Sequence, residues 1–209
     1  MNQQFKEVIT SEAQLRAILG TPSEGASNKT IHLIDEHCRN FIAKSPFLTI
    51  ASANQDGQVD VSPKGDPAGF VKVLDEKTLA IPERLGNKRA DTFMNILRQP
   101  GVGLLFMIPG INETLRINGK AQIVTDLALR EQLSHKGKLP QFALVVQVEE
   151  VFMHCTKCMI RSHLWADVDP TIRSKVPSLA EVIRDHAKID APIEALESHL
   201  KADEENGLY

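Results

Sequence analysis

A basic segment, residues 84–98, has the residue types and spacing to bind an anion. Its pattern predicts a loop that opens a helix, with Asn87 as the cap and Lys88 and Arg89 in the first turn. Acidic residues normally suit that position, because a helix N-terminus carries partial positive charge and unpaired N–H groups. Two cations there indicate a phosphate ligand. A solvated basic turn is the alternative interpretation.

Two further cations lie in positions that could contact a ligand. The pattern Ser62-Pro-Lys-Gly places Lys64 at a strand end in a tight turn, from which its amine could reach a bound molecule. Arg116 lies on the strand face opposite Leu115 and Ile117, where it could bind a phosphate or carboxylate in bidentate fashion. The alternatives are an exposed turn lysine and a surface arginine paired with Glu113.

The segment 153–165 contains a Cys-x-x-Cys pair, Cys155 and Cys158, flanked by histidines. A structural zinc site needs four ligands, and the third cysteine, Cys38, is far away in sequence, so we expect no metal here. Two cations and a hydroxyl beside the chain's single tryptophan favour contact with an anion or an aromatic ring. These residues are Lys157, Arg161, Ser162 and Trp165. An ordinary amphipathic turn is the alternative.

Composition and missing motifs exclude several function classes. The net charge is −3 and the pI about 6.2, so no basic face for nucleic acid is expected. We find no phosphate-binding P-loop, no dinucleotide-binding glycine motif after a strand and no nucleophile elbow. No apolar run is long enough to span a bilayer, and the N-terminus has no signal-peptide core. Three cysteines cannot all pair and predict no disulfide framework. Together with the absence of a signal-peptide core, this favours a location in the reducing cytoplasm.

The elements that must position these residues are short strands enclosed by helices. Period-two alternation predicts about seven antiparallel strands in the middle of the chain, which is typical of a closed barrel. The strands are predicted at 47–53, 58–62, 70–74, 78–81, 102–108, 114–124 and 141–153, with a break at 63–67. Helices are predicted at 11–19, at 30–43 with Asn28 as cap, within 84–98, and at 126–135, 178–187 and 192–201. A break is predicted at 21–28 and fraying at 204–207.

These pieces, in this order, resemble the pyridoxamine 5′-phosphate oxidase-like flavoproteins. The resemblance covers about residues 30–166 and rests on motifs at 47–52, 61–66, 79–84, 86–97, 102–110 and 115–121, together with Arg-Ser-x-Leu-Trp at 161–165. It implies a mainly β fold, an antiparallel split β-barrel that binds FMN, with flanking helices. Residues 1–44 would form helices packed on the barrel, 45–166 the FMN-binding barrel, and 167–209 a helical extension.

The resemblance also implies a cofactor site at a homodimer interface. Lys88 and Arg89 would hold the FMN phosphate, helped by Asn87 and Arg84. Ser62 and Lys64 would lie along the flavin and its ribityl chain, and the backbone of Ile81 and Pro82 would face the isoalloxazine ring. Arg116 and the group Lys157, Arg161, Ser162 and Trp165 would reach the cofactor from the other subunit. The implied activity is FMN-dependent oxidation or reduction of a small molecule.

The sequence departs from the pyridoxamine phosphate oxidases themselves. Residues 58–60 are Gln-Val-Asp, where those enzymes usually carry an arginine at the start of the strand. Their C-terminal motif of an arginine and a histidine, which binds the substrate phosphate, has no clear counterpart in this sequence. Pyridoxamine phosphate oxidation is therefore not expected, whereas FMN binding still is. The alternatives are a non-catalytic flavin-binding or flavin-sensing protein, an F420-dependent reductase and a haem-binding relative. No histidine stands out as a haem ligand on a strand face.

Overall fold

The computed structural model describes residues 5–209. These residues divide into two compact units, one that ends at Thr30 and one that spans Ile31–Tyr209. In the first unit, α1 (Glu12–Leu19) is capped by the hydroxyl of Ser11, in agreement with the predicted helix at 11–19. The predicted break at 21–28 is wrong in part, because Ser23 caps a second short helix, α2 (Glu24–Asn28).

The second unit contains an antiparallel sheet of seven strands with helices around it. The strands are β1 (Phe47–Ala53), β2 (Val59–Gly65), β3 (Lys72–Asp75), β4 (Thr78–Pro82), β5 (Gly101–Met107), β6 (Thr114–Val124) and β7 (Ala143–His154). The helices are α3 (Glu36–Lys44), α4 (Asp91–Arg98), α5 (Leu127–Gln132), α6 (Lys157–Ser162), α7 (Leu179–Ala187) and α8 (Ile193–Asn206), with a 3₁₀ turn at Ile172–Lys175.

The strand order is β2-β1-β5-β6-β7-β4-β3, and the hydrogen-bonded sheet does not close. The predicted closed barrel is therefore wrong, whereas the split barrel implied by the resemblance is confirmed. In the described residues β2 and β3 are the two edges of the sheet, and no backbone ladder joins them. The fold is mainly β, antiparallel and flanked by helices.

The core lies on one face of this sheet because apolar residues alternate along each strand. Leu48 and Ile50 on β1 pair with Phe106 and Leu104 on β5, and Phe106 pairs with Leu115 on β6. These side chains are almost completely buried. We call this side of the sheet the inner face and the opposite side the outer face, and the register assigns every paired residue to one of them.

A bulge between β6 and β7 changes which residues of β7 point inward. Asn118 pairs with Glu150 but Gly119 pairs with Val148, so Glu149 is the extra residue. A Cβ on Gly119 would lie 2.2 Å from the carbonyl oxygen of Gln147, so the close approach of the strands requires glycine here. On β7, Val148 and Val151 are both buried, which shows the change of phase across the bulge.

Two element boundaries differ from the predicted ones for reasons of tertiary structure. The helix predicted at 30–43 begins at Glu36, where Asp35 caps it by accepting from the Cys38 N–H at 2.8 Å. Upstream of it, Ile31 forms a bridge with Val151 of β7. The predicted break at 63–67 starts too early, because β2 continues to Gly65; Pro63 is tolerated since β2 is an edge strand.

The chain after β7 is helical, as predicted. Ser178 and Glu181 form a reciprocal capping box at the start of α7. Helix α8 continues through Asn206 and ends at Gly207, so most of the segment predicted to fray is helical in this structure. None of the helices in residues 5–209 has the length and apolarity needed to cross a bilayer.

Candidate functional site

The ends of β2 and β4 come together at the gap in the barrel. Lys64 pairs with Leu48 in the β1–β2 register, which places it on the inner face. Its ammonium lies 3.5 Å from the carboxylate of Glu83, directly after β4, and 5.0 Å from the ring centroid of Phe93. The prediction that Lys64 lies in a turn is wrong: it is the penultimate residue of the strand.

Glu83 is the residue of this site that sequence reasoning missed. Its side chain is 20% exposed and that of Lys64 is 21% exposed, so the pair is largely withdrawn from water. Burial raises the pKa of Glu83 above its ordinary value, and the nearby Lys64 opposes the shift only in part. The signal available in the sequence was only an acidic residue directly after a buried strand.

A second ion pair, between Asp66 and Arg84, lies beside the first. Here the acidic residue follows β2 and the basic residue follows β4, the reverse of Lys64 and Glu83. Arg84 donates from Nε to Asp66 at 2.6 Å and from Nη2 to the carbonyl of Leu133 at 3.0 Å. The Asp66 side chain is only 1% exposed. The guanidinium of Arg84 therefore already has two partners within the fold, and its role as a helper at the FMN phosphate stays a prediction.

The loop before α4 differs from its predicted form. The helix begins at Asp91, not just after Asn87, and no side chain caps it. Asn87 accepts from the N–H of Arg89 at 3.0 Å, which is a local turn and not a helix cap. Lys88 and Ala90 adopt left-handed backbone conformations, with φ of 60° and 63°. Lys88 and Arg89 thus lie in the loop that leads into the helix, and the acidic Asp91 occupies its first turn.

Helix α4 is held on the inner face by polar contacts with β1 and β2. The Thr92 and Ser62 hydroxyls are 3.0 Å apart. The Asn95 amide donates to Ser52 at 3.1 Å and to Asp60 at 2.8 Å, and Asn95 is buried. These bonds fix the helix, and with it the basic loop, next to the β2 residues.

Ile81 and Pro82 lie at the end of β4, and both residues are buried. They pair with Leu144 and Ala143 of β7. On the other side of β4, pairing with β3 ends at Ala80. The last two residues of β4 therefore have no strand neighbour on that side among the described residues.

Arg116 is on the outer face, opposite to Lys64. It is half-exposed between β6 and β7, donates to Glu150 rather than to the predicted partner Glu113, and lies 4.8 Å from the ring centroid of Phe152. Its Nε is buried without a hydrogen-bond partner among the described residues. Because the two cations lie on different faces of one sheet, Arg116 does not join the Lys64 site within one chain.

The 157–165 group forms a separate exposed turn. Lys157 and Arg161 are exposed on α6, and the Ser162 hydroxyl donates to the carbonyl of Met159. Trp165 donates from Nε1 to the carbonyl of Ile111 at 2.9 Å. None of these contacts joins the group to the Lys64 site. Across residues 5–209, no three His, Cys, Asp or Glu side chains are grouped as metal ligands would be.

Comparison with known proteins assigns the chain to a family. The family model described as pyridoxamine 5′-phosphate oxidase matches residues 34–155, so the chain belongs to the pyridoxamine 5′-phosphate oxidase family. The match includes the two ion pairs, the basic loop, α4 and Arg116. It ends before Lys157, Arg161, Ser162 and Trp165. No curated protein matches the chain.

Several solved structures are similar to parts of the chain. HupZ from Group A Streptococcus is 20% identical, with a TM-score of 0.47, over 57% of this chain and 93% of its own. A candidate pyridoxamine 5′-phosphate oxidase from Lactobacillus delbrueckii is 24% identical, with a TM-score of 0.47, over 58% and 95%. An FMN-binding protein from Syntrophomonas wolfei is 13% identical, with a TM-score of 0.45, over 56% and 83%.

Proposed function

We propose that this protein binds FMN and is an FMN-dependent oxidoreductase for a small molecule, with the cofactor held between two copies of the chain. The observation that carries the proposal is the start of α4. This eight-residue helix has no side-chain cap, and the loop before it presents two exposed cations, Lys88 and Arg89. In a member of this family, that combination supports a phosphate site.

The residues fit the phosphate of FMN in charge and position. Arg89 donates to Asp91 at 2.8 Å, and its side chain is 71% exposed. A phosphate could therefore accept from the guanidinium in place of the Asp91 carboxylate or in addition to it. Lys88 is exposed beside Arg89 and has a left-handed backbone conformation. Asn87 holds that turn through its bond to the Arg89 N–H. We assign Asn87 to shaping the loop and the two cations to the phosphate.

The flavin ring would lie between the end of β4 and the inner face of β2. FMN supplies the electron-transfer chemistry when bound, and the chain supplies orientation and electrostatics. Lys64 places a positive charge there, and Ser62 a hydroxyl two residues away on the same face. We assign Glu83, which the sequence did not reveal, as the group that would exchange a proton with the substrate, since burial raises its pKa above the ordinary value.

A second copy of the chain would complete the site. Arg116 lies on the outer face and the 157–165 group makes no contact with Lys64, so neither reaches the inner-face site of its own chain. The outer face also carries exposed apolar residues on the edge strand β2, including Val59 and Val61. A homodimer that covers this face would bring the outer-face cations toward the partner's cofactor, which is the arrangement we propose.

The first experiment is the absorbance spectrum of the purified protein, followed by release and identification of the chromophore. We expect flavin bands and about one FMN per chain. Released F420 or haem would replace the FMN assignment with one of those cofactors. A colourless protein that takes up no added FMN would overturn the proposal.

Variants then locate the phosphate site and test the assembly. Lys88→Ala combined with Arg89→Ala should weaken FMN binding by about 100-fold, since two charge-assisted contacts are lost. The control combines Lys44→Ala with Lys201→Ala, two exposed cations on other helices. Equal FMN affinity in both double variants would refute the phosphate assignment. A monomer in light scattering with FMN still bound would refute the shared site, and flavin that no reductant or acceptor turns over would indicate a non-catalytic flavoprotein.

A further inference from the structure

The only tyrosine of the chain, Tyr209, occupies a slot built by four polar residues. Its hydroxyl donates to Asp66 Oδ1 at 2.7 Å. Its ring centroid lies 4.8 Å from that of His135, with the two planes inclined by 33°. Arg84 and Lys136 lie over the ring, 5.7 Å and 5.2 Å from its centroid. The ring is thus bound by stacking, by two cations and by a carboxylate.

Two hydrogen bonds besides the one from Tyr209 hold the acceptor in this slot in place. Asp66 is almost completely buried, and its other carboxylate oxygen accepts from Arg84 at 2.6 Å. Its backbone N–H donates to the carbonyl of Pro46. A buried carboxylate with a fixed position is a strong and selective acceptor for one hydroxyl group.

The stacking wall comes from a tight turn with little freedom of its own. His135 and Lys138 exchange both backbone hydrogen bonds, and Lys136 and Gly137 between them have φ of 49° and 75°. Both values are left-handed, as in the tight turns that join hairpin strands. The turn holds the His135 ring and directs the Lys136 ammonium over the same site.

The slot adjoins open space. Asp66, Arg84 and His135 also line a cleft of about 160 Å³, together with Phe70 and Leu133. The Nε2 atom of His135 is buried without a hydrogen-bond partner among the described residues, so a polar substituent on a ligand could bond to it.

We propose that this slot is a binding site for a phenolic ring, and that Tyr209 is an occupant from the same chain that a free phenolic ligand displaces. The recognised class is a neutral hydroxyaromatic molecule: the ring stacks on His135 and its hydroxyl donates to Asp66. The slot adjoins the FMN site proposed above, because Asp66 and Arg84 lie beside Lys64 and Glu83, but its test needs no flavin.

The probe is p-cresol, which reproduces the tyrosine side chain, and the matched control is 4-methylanisole, in which the hydroxyl is methylated. Ring-¹³C tyrosine labelling gives the signals of a single residue, and urea-unfolded protein gives their undocked position. We expect p-cresol to move these signals saturably toward the undocked position. The affinity of 4-methylanisole should be lower by about tenfold or more, because it cannot donate a hydrogen bond to Asp66.

Calorimetry on the Tyr209→Ala variant supplies the second arm. Without the Tyr209 ring the slot is open in every molecule, whereas in the unsubstituted protein only a small fraction of molecules has it open. The affinity for p-cresol should therefore be at least about tenfold higher in the variant. Absence of binding to Tyr209→Ala would overturn the site. Binding to Tyr209→Ala without displacement of Tyr209 in the unsubstituted protein would overturn the exchange and leave the tyrosine as a structural plug.

Discussion

Lys64 and Glu83 form an ion pair between two strands that share no backbone hydrogen bond. Lys64 is on β2 and Glu83 follows β4, and in the sheet the strands β1, β5, β6 and β7 lie between them. The contact therefore crosses the gap of the split barrel. It joins parts of the chain that the sheet alone would leave apart, at the place where we propose that the flavin binds.

The first prediction concerns the pH dependence of this pair. The pKa of Glu83 is raised in the folded state, so its contribution to stability is present below the ordinary pKa of 4.5 and is lost as the pH rises through the folded value. Glu83→Gln stays neutral and avoids this loss. The free energy of unfolding of Glu83→Gln minus that of the unsubstituted protein should therefore increase from pH 4 to pH 7.

Urea denaturation at a series of pH values measures this difference. Glu197→Gln is the control, since Glu197 is exposed on α8 and takes no part in this ion pair. A Glu83→Gln difference that falls with pH would show that attraction to Lys64 outweighs burial.

A second prediction tests the bonds that hold α4. Asn95→Leu removes the donors to Ser52 and Asp60 and leaves those groups without their partner. We expect a loss of about 2 kcal/mol in the free energy of unfolding, measured in urea. Leu97→Ala on the same helix, at a position that is 70% exposed, should change it by less than about 0.5 kcal/mol. Equal effects of the two substitutions would contradict the network.

A third prediction concerns the bulge. Gly119→Ala would place a Cβ 2.2 Å from the Gln147 carbonyl oxygen, so the strands must separate. We expect a loss of about 2 kcal/mol or more in the free energy of unfolding. Gly101→Ala is the matched control, because its Cβ would meet no atom within 4 Å. A Gly119→Ala variant as stable as the control would show that the strands are not in such close contact.

A fourth prediction separates the three cysteines by reactivity. Burial raises the pKa of the Cys38 thiol to about 12, whereas Cys155 and Cys158 are exposed. Because the thiolate is the reactive form, iodoacetamide at pH 8 should modify Cys155 and Cys158 and leave Cys38 unmodified until urea is added. Peptide mass spectrometry identifies the modified cysteines. If Cys38 in the folded protein is labelled as fast as Cys155 and Cys158, it is not protected by burial.

The strands were the most predictable part of the fold. The bounds of β1 and β6 agree with the predicted 47–53 and 114–124, because buried residues alternate with more accessible ones along most of each strand. Helix starts were less predictable. Asn28 and Asp35 are both acceptable caps, and it is the distant bridge between Ile31 and Val151 that keeps the preceding residues out of the helix.

The candidate site could be predicted in composition but not in its pairings. The basic residues Lys64, Lys88 and Arg89 are recognisable from residue type and neighbours. Glu83 gains its role from Lys64, and Tyr209 from Asp66, 143 residues earlier in the chain. Such contacts depend on how the sheet folds back on itself, which local pattern does not encode.

The two ion pairs at the gap carry opposite polarity, Lys64 to Glu83 and Asp66 to Arg84. A slip of one strand end past the other would place lysine against arginine, or aspartate against glutamate. Like charges in contact are unfavourable, so only one alignment satisfies all four groups. No backbone ladder aligns the ends of β2 and β4 with each other. The order of charges on the two strand ends therefore selects a single alignment.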